Sequence, residues 1–336
     1  MSRHKQIPYW LLTACILVFI MVLIGGITRL THSGLSIVDW KPIHGVIPPL
    51  SDAEWQEEFA HYQQYPEYRL LNRHMTVTEF KDIFFWEYLH RLIGRLIGLV
   101  FIIPYCFFKY RKLIPHGMDR NLIIMFLLGA GQGFMGWYMV ISGLVDKPFV
   151  SHYRLAAHLL LAFIIIGYIY WTYLTYYSRR ETVAISRLLR SAIFLLPVVT
   201  LVQILYGAFT AGLKAGFSWN TYPLMNGAII PEGLWLQDPW WLNLLQSEMT
   251  IQFIHRSLAI VLVILVVIIY QGLRRETRTR PQSLARQAIL AIVLLQFTLG
   301  IITLLTAVQL AVALLHQLGA VLLFCSSLYL LFQFRE

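Results

Sequence analysis

Long apolar runs, each about as long as a membrane crossing, alternate with shorter polar stretches along the whole chain. A helix needs about 20 mainly apolar residues to cross the hydrocarbon core of a bilayer. Eight stretches meet this requirement, and they cover residues 10–28, 89–108, 121–141, 155–177, 191–212, 253–271, 287–307 and 312–332. The pattern therefore predicts an all-α polytopic membrane protein with eight transmembrane helices.

The composition supports this prediction. Hydrophobic residues make up 58% of the 336 residues and charged residues only 13%, whereas soluble domains carry about 25% charged residues. These values exclude a soluble enzyme and a disordered chain. The three cysteines, Cys15, Cys106 and Cys325, lie in apolar segments, so no disulfide framework is expected.

The formal net charge of +10 would suggest nucleic-acid binding in a soluble protein, but here the basic residues are concentrated in particular loops. With a cytoplasmic N-terminus, the inner segments hold 16 Lys and Arg against 4 Asp and Glu, and the outer segments hold 11 against 13. This distribution follows the positive-inside rule. We therefore expect both termini in the cytoplasm and no nucleic-acid partner.

The two long connections, about 29–88 and 213–252, then lie outside the membrane. Capping-box patterns start at Ser51 and Thr76, and a Trp-rich stretch covers residues 235–241. These patterns predict short helices that lie on the membrane interface.

The two halves of the chain resemble each other. EYLHRLIG (87–94) matches QFIHRSLA (252–259), and AAHLLLA (156–162) matches ALLHQLGA (313–320). The matched histidines are 165 and 158 residues apart and occur in the same order. The repeat predicts two tandem four-helix bundles, one formed by residues 1–180 and the other by residues 181–336.

Four of the eleven histidines lie inside apolar segments, where an ionisable side chain is costly and usually functional. They are His90, His158, His255 and His316. Each lies near the outer end of an even-numbered span, so the two histidines of each half have matching depth. Two imidazoles from different helices of a bundle can ligate a haem iron from opposite faces. The pattern predicts two bis-histidine haem sites.

Arginines accompany the histidines at the outer ends of the spans. They are Arg91, Arg95, Arg154 and Arg256. Bidentate pairing makes arginine a good partner for haem propionates, whereas arginines at a membrane interface also serve as structural anchors. Both roles are open at this point.

Glu87 lies three residues before His90, and its counterpart in the second half is Gln252. This carboxylate is the sharpest difference between the halves. We therefore expect chemistry at the first haem and a permanently bound cofactor at the second. A structural pairing of Glu87 with Arg91 or Arg95 is the alternative interpretation.

Other metal sites and other functions are less consistent with the four histidines. Zinc favours three or four clustered ligands, and copper favours Cys or Met beside His. A di-iron site needs Glu-x-x-His on two helices, but only Glu87 and His90 have this spacing. A dihaem cytochrome b that transfers electrons is the main alternative function. A transporter is disfavoured because the spans lack breaks at the membrane midplane.

Seven segments together form a distinctive pattern. They are GGITRLTHSGLSIVDWKPI (25–43), YQQYPEY (62–68), FFWEYLHR (84–91), GQGFMGWYMVISGL (131–144), YRLAAH (153–158), QFIHR (252–256) and LLHQLGA (314–320). This combination resembles the haem A synthase family over essentially the whole chain. It is similar to the proteobacterial and mitochondrial branch, because the first outer loop lacks a cysteine pair. Residues 308–313 lack the prolines expected before the last span.

The resemblance implies an oxidoreductase that acts on a CH group. A ring methyl of haem O would be oxidised, through hydroxymethyl and gem-diol stages, to the formyl group of haem A, with oxygen from water. His90 and His158 would flank the substrate haem O, and Glu87 would be the catalytic carboxylate. His255 and His316 would ligate a resident haem b.

The resemblance also implies partners. Haem O synthase, a protohaem farnesyltransferase, would supply haem O, an unidentified acceptor would take the electrons, and cytochrome oxidase would receive haem A. We expect a multi-pass protein surrounded by lipid in the bacterial plasma (inner) membrane, because the short N-terminus carries no Ser- and Arg-rich presequence. The sequence leaves a homo-oligomer open.

Overall fold

The computed structural model describes residues 6–39 and 44–335. Within this part of the chain the regular structure is helical, and no β-strand occurs. The helices are α1 (Gln6–Leu30), α2 (Asp52–Tyr62), α3 (Pro66–Leu70), α4 (Val77–Tyr110), α5 (Met118–Ile141), α6 (His152–Tyr177), α7 (Arg187–Gly212), α8 (Asn243–Gln246), α9 (Glu248–Gly272), α10 (Arg280–Leu305) and α11 (Leu310–Phe334).

Eight helices are long and apolar enough to cross a membrane, namely α1, α4, α5, α6, α7, α9, α10 and α11. The prediction of an all-α protein with eight membrane-spanning helices is confirmed. All eight helices begin before the predicted apolar runs, and four of them, α1, α4, α9 and α11, also end after these runs. Polar residues cap the helices and continue them beyond the apolar runs. The cytoplasmic location of the termini stays a prediction, and the basic stretch 3–5 that supports it lies outside the described residues.

The two capping boxes of the first outer segment have different outcomes. Ser51 and Glu54 start the short helix α2, as predicted. Thr76 and Glu79 also exchange hydrogen bonds, but the helix that they start is the 34-residue α4. The prediction of a short interfacial helix at Thr76 is therefore wrong. The charged residues of its first turns hide the continuity with the apolar span that follows.

The described residues divide into two compact units, one up to Ala162 and one from Phe163. In the first unit α4 packs against α1, α5 and α2. In the second unit α7, α9, α10 and α11 pack in a closed ring, each against two neighbours, which is the arrangement of a four-helix bundle. The assignment of one haem site to residues 1–180 and one to 181–336 stays a prediction.

Apolar packing is concentrated at one end of the second bundle. Leu196 on α7, Val266 on α9, Val293 on α10 and Leu330 on α11 belong to one buried cluster. The histidines of α9 and α11 lie near the N-terminal ends of their helices, away from this cluster. Close packing at one end fixes the helices and leaves the other end to polar side chains.

The first outer segment is folded around an aromatic cluster. Phe59 and Tyr62 of α2 pack against Phe80 and Phe84 of α4. The Tyr62 hydroxyl donates to the buried Glu67 carboxylate at 3.1 Å and accepts from the Asn72 amide at 2.7 Å. Burial, reinforced by Glu67, raises the pKa of Tyr62, so this hydroxyl stays a proton donor.

The second outer segment keeps its aromatic side chains at the surface. Trp235, Trp240 and Trp241 are 59%, 64% and 47% exposed. The last two lie in a single 3₁₀ turn directly before the four-residue helix α8. Exposed tryptophans beside membrane-spanning helices are typical of interfacial anchors.

Candidate functional site

His255 of α9 and His316 of α11 face each other in the second unit. Their ring centres lie 6.5 Å apart, and the ring planes are nearly perpendicular at 89°. A metal ion midway between two imidazoles, bonded to each at about 2 Å, requires ring centres about 6 Å apart. The pair therefore has the separation needed for an iron bound from opposite sides.

His90 of α4 and His158 of α6 form the corresponding pair in the first unit. Both lie in the first compact unit, and each imidazole lies against a glycine of another helix. The structure thus places His255 beside His316 and places His90 and His158 in the same unit. Among the described residues, no cluster of three or more His, Cys, Asp or Glu could hold a metal ion.

Each imidazole lies against a glycine of the helix that precedes its own membrane-spanning helix. A Cβ atom at Gly25, Gly136, Gly207 or Gly300 would lie 3.2, 3.2, 3.0 and 2.9 Å from the ring of His90, His158, His255 and His316, respectively. The sequence interpretation missed this role. The four glycines form cradles that hold the rings against helix backbone.

Three imidazoles have an unsatisfied ring nitrogen. The Nδ1 atoms of His158, His255 and His316 are shielded from solvent and have no hydrogen-bond partner among the described residues. An imidazole that binds iron through one nitrogen normally donates its other N–H to a nearby acceptor. Buried ring nitrogens and glycine cradles fit haem ligands better than ordinary core histidines.

Arg91 binds the chain segment that follows α1. Its guanidinium donates to the backbone carbonyls of Ile37 at 2.7 Å and Asp39 at 3.1 Å. It also forms an ion pair with Glu87, one helical turn away, at 2.7 Å between Nη2 and Oε1. Arg91 therefore fastens the outer segment to α4.

Arg256 makes equivalent contacts in the second unit. It donates to the carbonyl of Thr221 at 2.8 Å and to the carbonyl of Trp219. It also donates to Oε1 of Gln252 at 3.1 Å. The segment after α7 is thus held by an arginine and its partner four residues earlier, as is the segment after α1.

The remaining arginines are placed differently. Arg154 donates to the Tyr138 carbonyl at 2.7 Å, and its guanidinium stacks 3.7 Å from the centre of the Tyr138 ring. Arg95 is half-buried one turn after Arg91 on α4. Contacts from the four arginines to haem propionates stay a prediction.

Glu87 is almost fully buried, with 3% of its surface exposed. Its Oε2 accepts from the Ser36 hydroxyl at 2.7 Å and from the Ile37 amide at 2.9 Å, and its Oε1 accepts from Arg91. The structural pairing that the sequence left open is therefore present. A carboxylate offers about four acceptor positions, so Oε1 retains room for one more donor.

Gln252 occupies the place of Glu87 in the second unit but with the opposite polarity. Its amide donates to the carbonyls of Ala215 and Ser218, both at 2.8 Å. A neutral amide is thus sufficient for this contact with the outer segment. The negative charge of Glu87 is specific to the first unit.

Comparison with known proteins gives a consistent picture. The family model described as "Cytochrome oxidase assembly protein" matches residues 8–328. Proteins named "Heme A synthase" from Nitrosospira multiformis and Rhodospirillum centenum are 45% and 46% identical to this chain, covering 99% and 96% of it and 94% and 86% of their own lengths. One from Flavobacterium psychrophilum is 41% identical over the full length of both chains. The chain belongs to the cytochrome oxidase assembly family that contains the haem A synthases.

Proposed function

We propose that the chain is a haem A synthase. Relatives with this name are similar over nearly the whole chain, and two histidine pairs offer sites for two haems. Glu87 is the observation that carries the assignment of chemistry to the first site, because the second site has an amide in its place. The electron-transfer cytochrome is not favoured, since it needs no such difference.

The second pair would hold the resident cofactor. His255 and His316 are suitable axial ligands, because their ring separation fits an intervening iron and their Nδ1 atoms are shielded. A haem b bound there would supply a one-electron redox centre. The residues of this chain fix its ligands and exclude water from the apolar end of the bundle.

The first pair would hold the substrate. Conversion of the ring methyl of haem O to a formyl group takes one oxygen atom from water and releases four electrons and four protons. The electrons pass to an acceptor of unidentified chemistry. His90 and His158 would orient the substrate so that its methyl group faces Glu87.

Glu87 would stabilise positive charge and orient water. Three donors hold the carboxylate in one position, and Oε1 can still accept a hydrogen bond from a water molecule. A fixed negative charge in a buried site stabilises the cationic character that develops when electrons leave a methyl carbon. This positioning favours electrostatic stabilisation over a mobile base.

The test is the Glu87→Gln substitution in the purified protein, produced together with a farnesyltransferase that makes haem O. The amide removes the charge and keeps an acceptor for Arg91, but its NH2 group cannot accept the hydrogen bond from the Ile37 N–H. We expect both haem sites to remain occupied, haem O to accumulate, and formation of haem A to fall about 100- to 10,000-fold. Mass-resolved chromatography of the extracted haems measures this ratio.

Glu67→Gln is the matched control, because Glu67 is also a buried carboxylate but belongs to α3 of the outer segment and accepts from Tyr62. It should leave the haem A yield unchanged. A normal yield from Glu87→Gln would remove Glu87 from the mechanism. A wild-type protein that contains only haem b would instead support the electron-transfer cytochrome.

The remaining assignments follow from the proposed activity. Haem O synthase would deliver the substrate, and cytochrome oxidase assembly would use the product. The eight apolar helices make the protein multi-pass, and we assign it to the bacterial plasma membrane.

A further inference from the structure

Three glutamines connect the histidine-bearing helices to the helices that precede them. The side-chain amides of Gln132, Gln203 and Gln296 donate to the backbone carbonyls of His158, His255 and His316 at 3.1, 3.0 and 2.9 Å, respectively. In each case the glutamine stands four residues before the glycine that cradles the same imidazole. The glutamine and the glycine of each Gln-x-x-x-Gly segment therefore contact the same histidine.

Each of these contacts leaves one acceptor and one ring nitrogen unsatisfied. The Oε1 atoms of Gln132, Gln203 and Gln296 are buried without a hydrogen-bond partner among the described residues, as are the Nδ1 atoms of the three histidines. Buried unsatisfied polar atoms are rare and call for an explanation. The glutamine side chains are directed at the helix that carries the histidine: Gln132 Nε2 also lies 3.3 Å from His158 Nε2, and Gln296 Oε1 is directed at Gly319 of α11. A glutamine thus holds the helix backbone at the histidine itself.

We propose that these glutamines are positioning residues for three of the four haem ligands, an inference that rests on the proposed function. The amide N–H holds the histidine backbone, and the glycine admits the ring. Together they fix the position of the imidazole between the two helices, as groups around a metal ligand do when they orient it.

His90 is the one of these four histidines that has no such glutamine. The residue four positions before Gly25 is Met21, whose thioether has no N–H to donate. Its terminal methyl approaches Gly94, one turn after His90, with 3.2 Å to a Cβ placed there. Gln296 similarly reaches Gly319, one turn after His316.

Methionine thus takes the place of glutamine at the first ligand only. The first site holds one anchored ligand, His158, and one unanchored ligand, His90, whereas both ligands of the second site are anchored. This difference is consistent with the proposed roles of the two sites. Substrate and product exchange at the first site, whereas the cofactor stays bound at the second. His90 is the ligand through which the first haem is released.

The experiment compares Gln203→Leu and Gln203→Glu in the full-length protein purified with its haem. The leucine variant removes the amide N–H that holds the His255 carbonyl. We expect haem b to transfer to apomyoglobin about 10- to 100-fold faster and its low-spin absorption band to shift. The glutamate variant is a carboxylic acid when buried in an apolar bundle, and its O–H can still donate to the His255 carbonyl, so its transfer rate and absorption band should stay close to those of the wild type.

Trp10→Phe is the matched control. Trp10 also donates a side-chain N–H to a backbone carbonyl of another helix, that of Val100 at 2.9 Å, and its ring packs against Phe101 and Phe108. Trp10→Phe should change neither the haem transfer rate nor the absorption band. A Gln203→Leu protein that is folded, with unchanged transfer rate and absorption band, would overturn the proposal. If that variant does not fold, Gln296→Leu provides the same comparison.

A gain-of-function substitution at Met21 tests the difference between His90 and the other three histidines. Met21→Gln supplies the missing amide, so release of haem from the first site should slow about tenfold relative to Met21→Leu. Equal release rates from these two variants would show that His90 is not controlled in this way. A wild-type protein that binds no haem would instead contradict the proposed function, so the two failures are distinguishable.

Discussion

At the scale of the residue, the four glycines beside the histidines set the size of each site. Their effect depends on one absent methyl group, because an alanine Cβ would lie only 2.9 to 3.2 Å from a ring atom, closer than an ordinary van der Waals contact. Other glycines of the membrane-spanning helices have open space instead. No atom lies within 4 Å of a Cβ placed at Gly98 of α4 or Gly133 of α5.

This contrast gives a residue-scale prediction. Gly207→Ala should push the His255 ring out of its cradle, because the new Cβ would lie 3.0 Å from Cε1. We expect a reduced haem b content and a shifted low-spin absorption band. Gly98→Ala is the control and should retain the wild-type spectrum. An unchanged spectrum for Gly207→Ala would mean that the ring has room to move.

At the scale of the element, hydrogen bonds between distant segments hold the outer chain in place. Tyr62 connects α2 to the turn after α3 through Glu67 and Asn72. Since all three partners lie outside the apolar spans, their contribution concerns the outer segment and not the haem ligands.

Tyr62→Phe tests this contribution. Loss of the hydroxyl removes one donor to the buried Glu67 and one acceptor for Asn72, which should lower the free energy of unfolding of the outer segment by about 1–3 kcal/mol. Faster amide hydrogen exchange in residues 52–72 is the measurement. Tyr65→Phe is the control and should have no effect, because the Tyr65 side chain makes no capping hydrogen bond at the start of α3. Unchanged exchange in Tyr62→Phe would contradict the prediction.

The elements also show how far the sequence can predict the structure. Eight spans are predictable because apolar composition alone decides which segments enter a bilayer. The start of α4 at Val77 is not predictable in this way, because the charged residues in its first turns indicate a separate helix. The histidine pairs follow from residue type and repeat. The contact from Ser36 to Glu87 depends on chain segments that only the fold brings together.

At the scale of the whole molecule, the duplicated sequence provides two sites that differ in a few side chains. Each pair of histidines belongs to one compact unit. The two sites should therefore respond separately to the loss of a ligand.

His255→Ala should remove the resident haem b and its low-spin spectrum while haem O still binds at the first site. His90→Ala should leave the haem b spectrum in place. Optical spectra and extracted-haem analysis of the two variants measure both effects. Loss of both haems from either variant would mean that the sites are not independent.

The reversed polarity at Glu87 and Gln252 has a consequence for how the two halves diverged. The segment after α1 presents a hydroxyl and an amide N–H to Glu87, whereas the segment after α7 presents two carbonyls to Gln252. A glutamate at position 252 would face carbonyl oxygens and lose both bonds. The side chain at this position and the conformation of the loop that it contacts therefore had to change together. No single substitution can turn one half into the other.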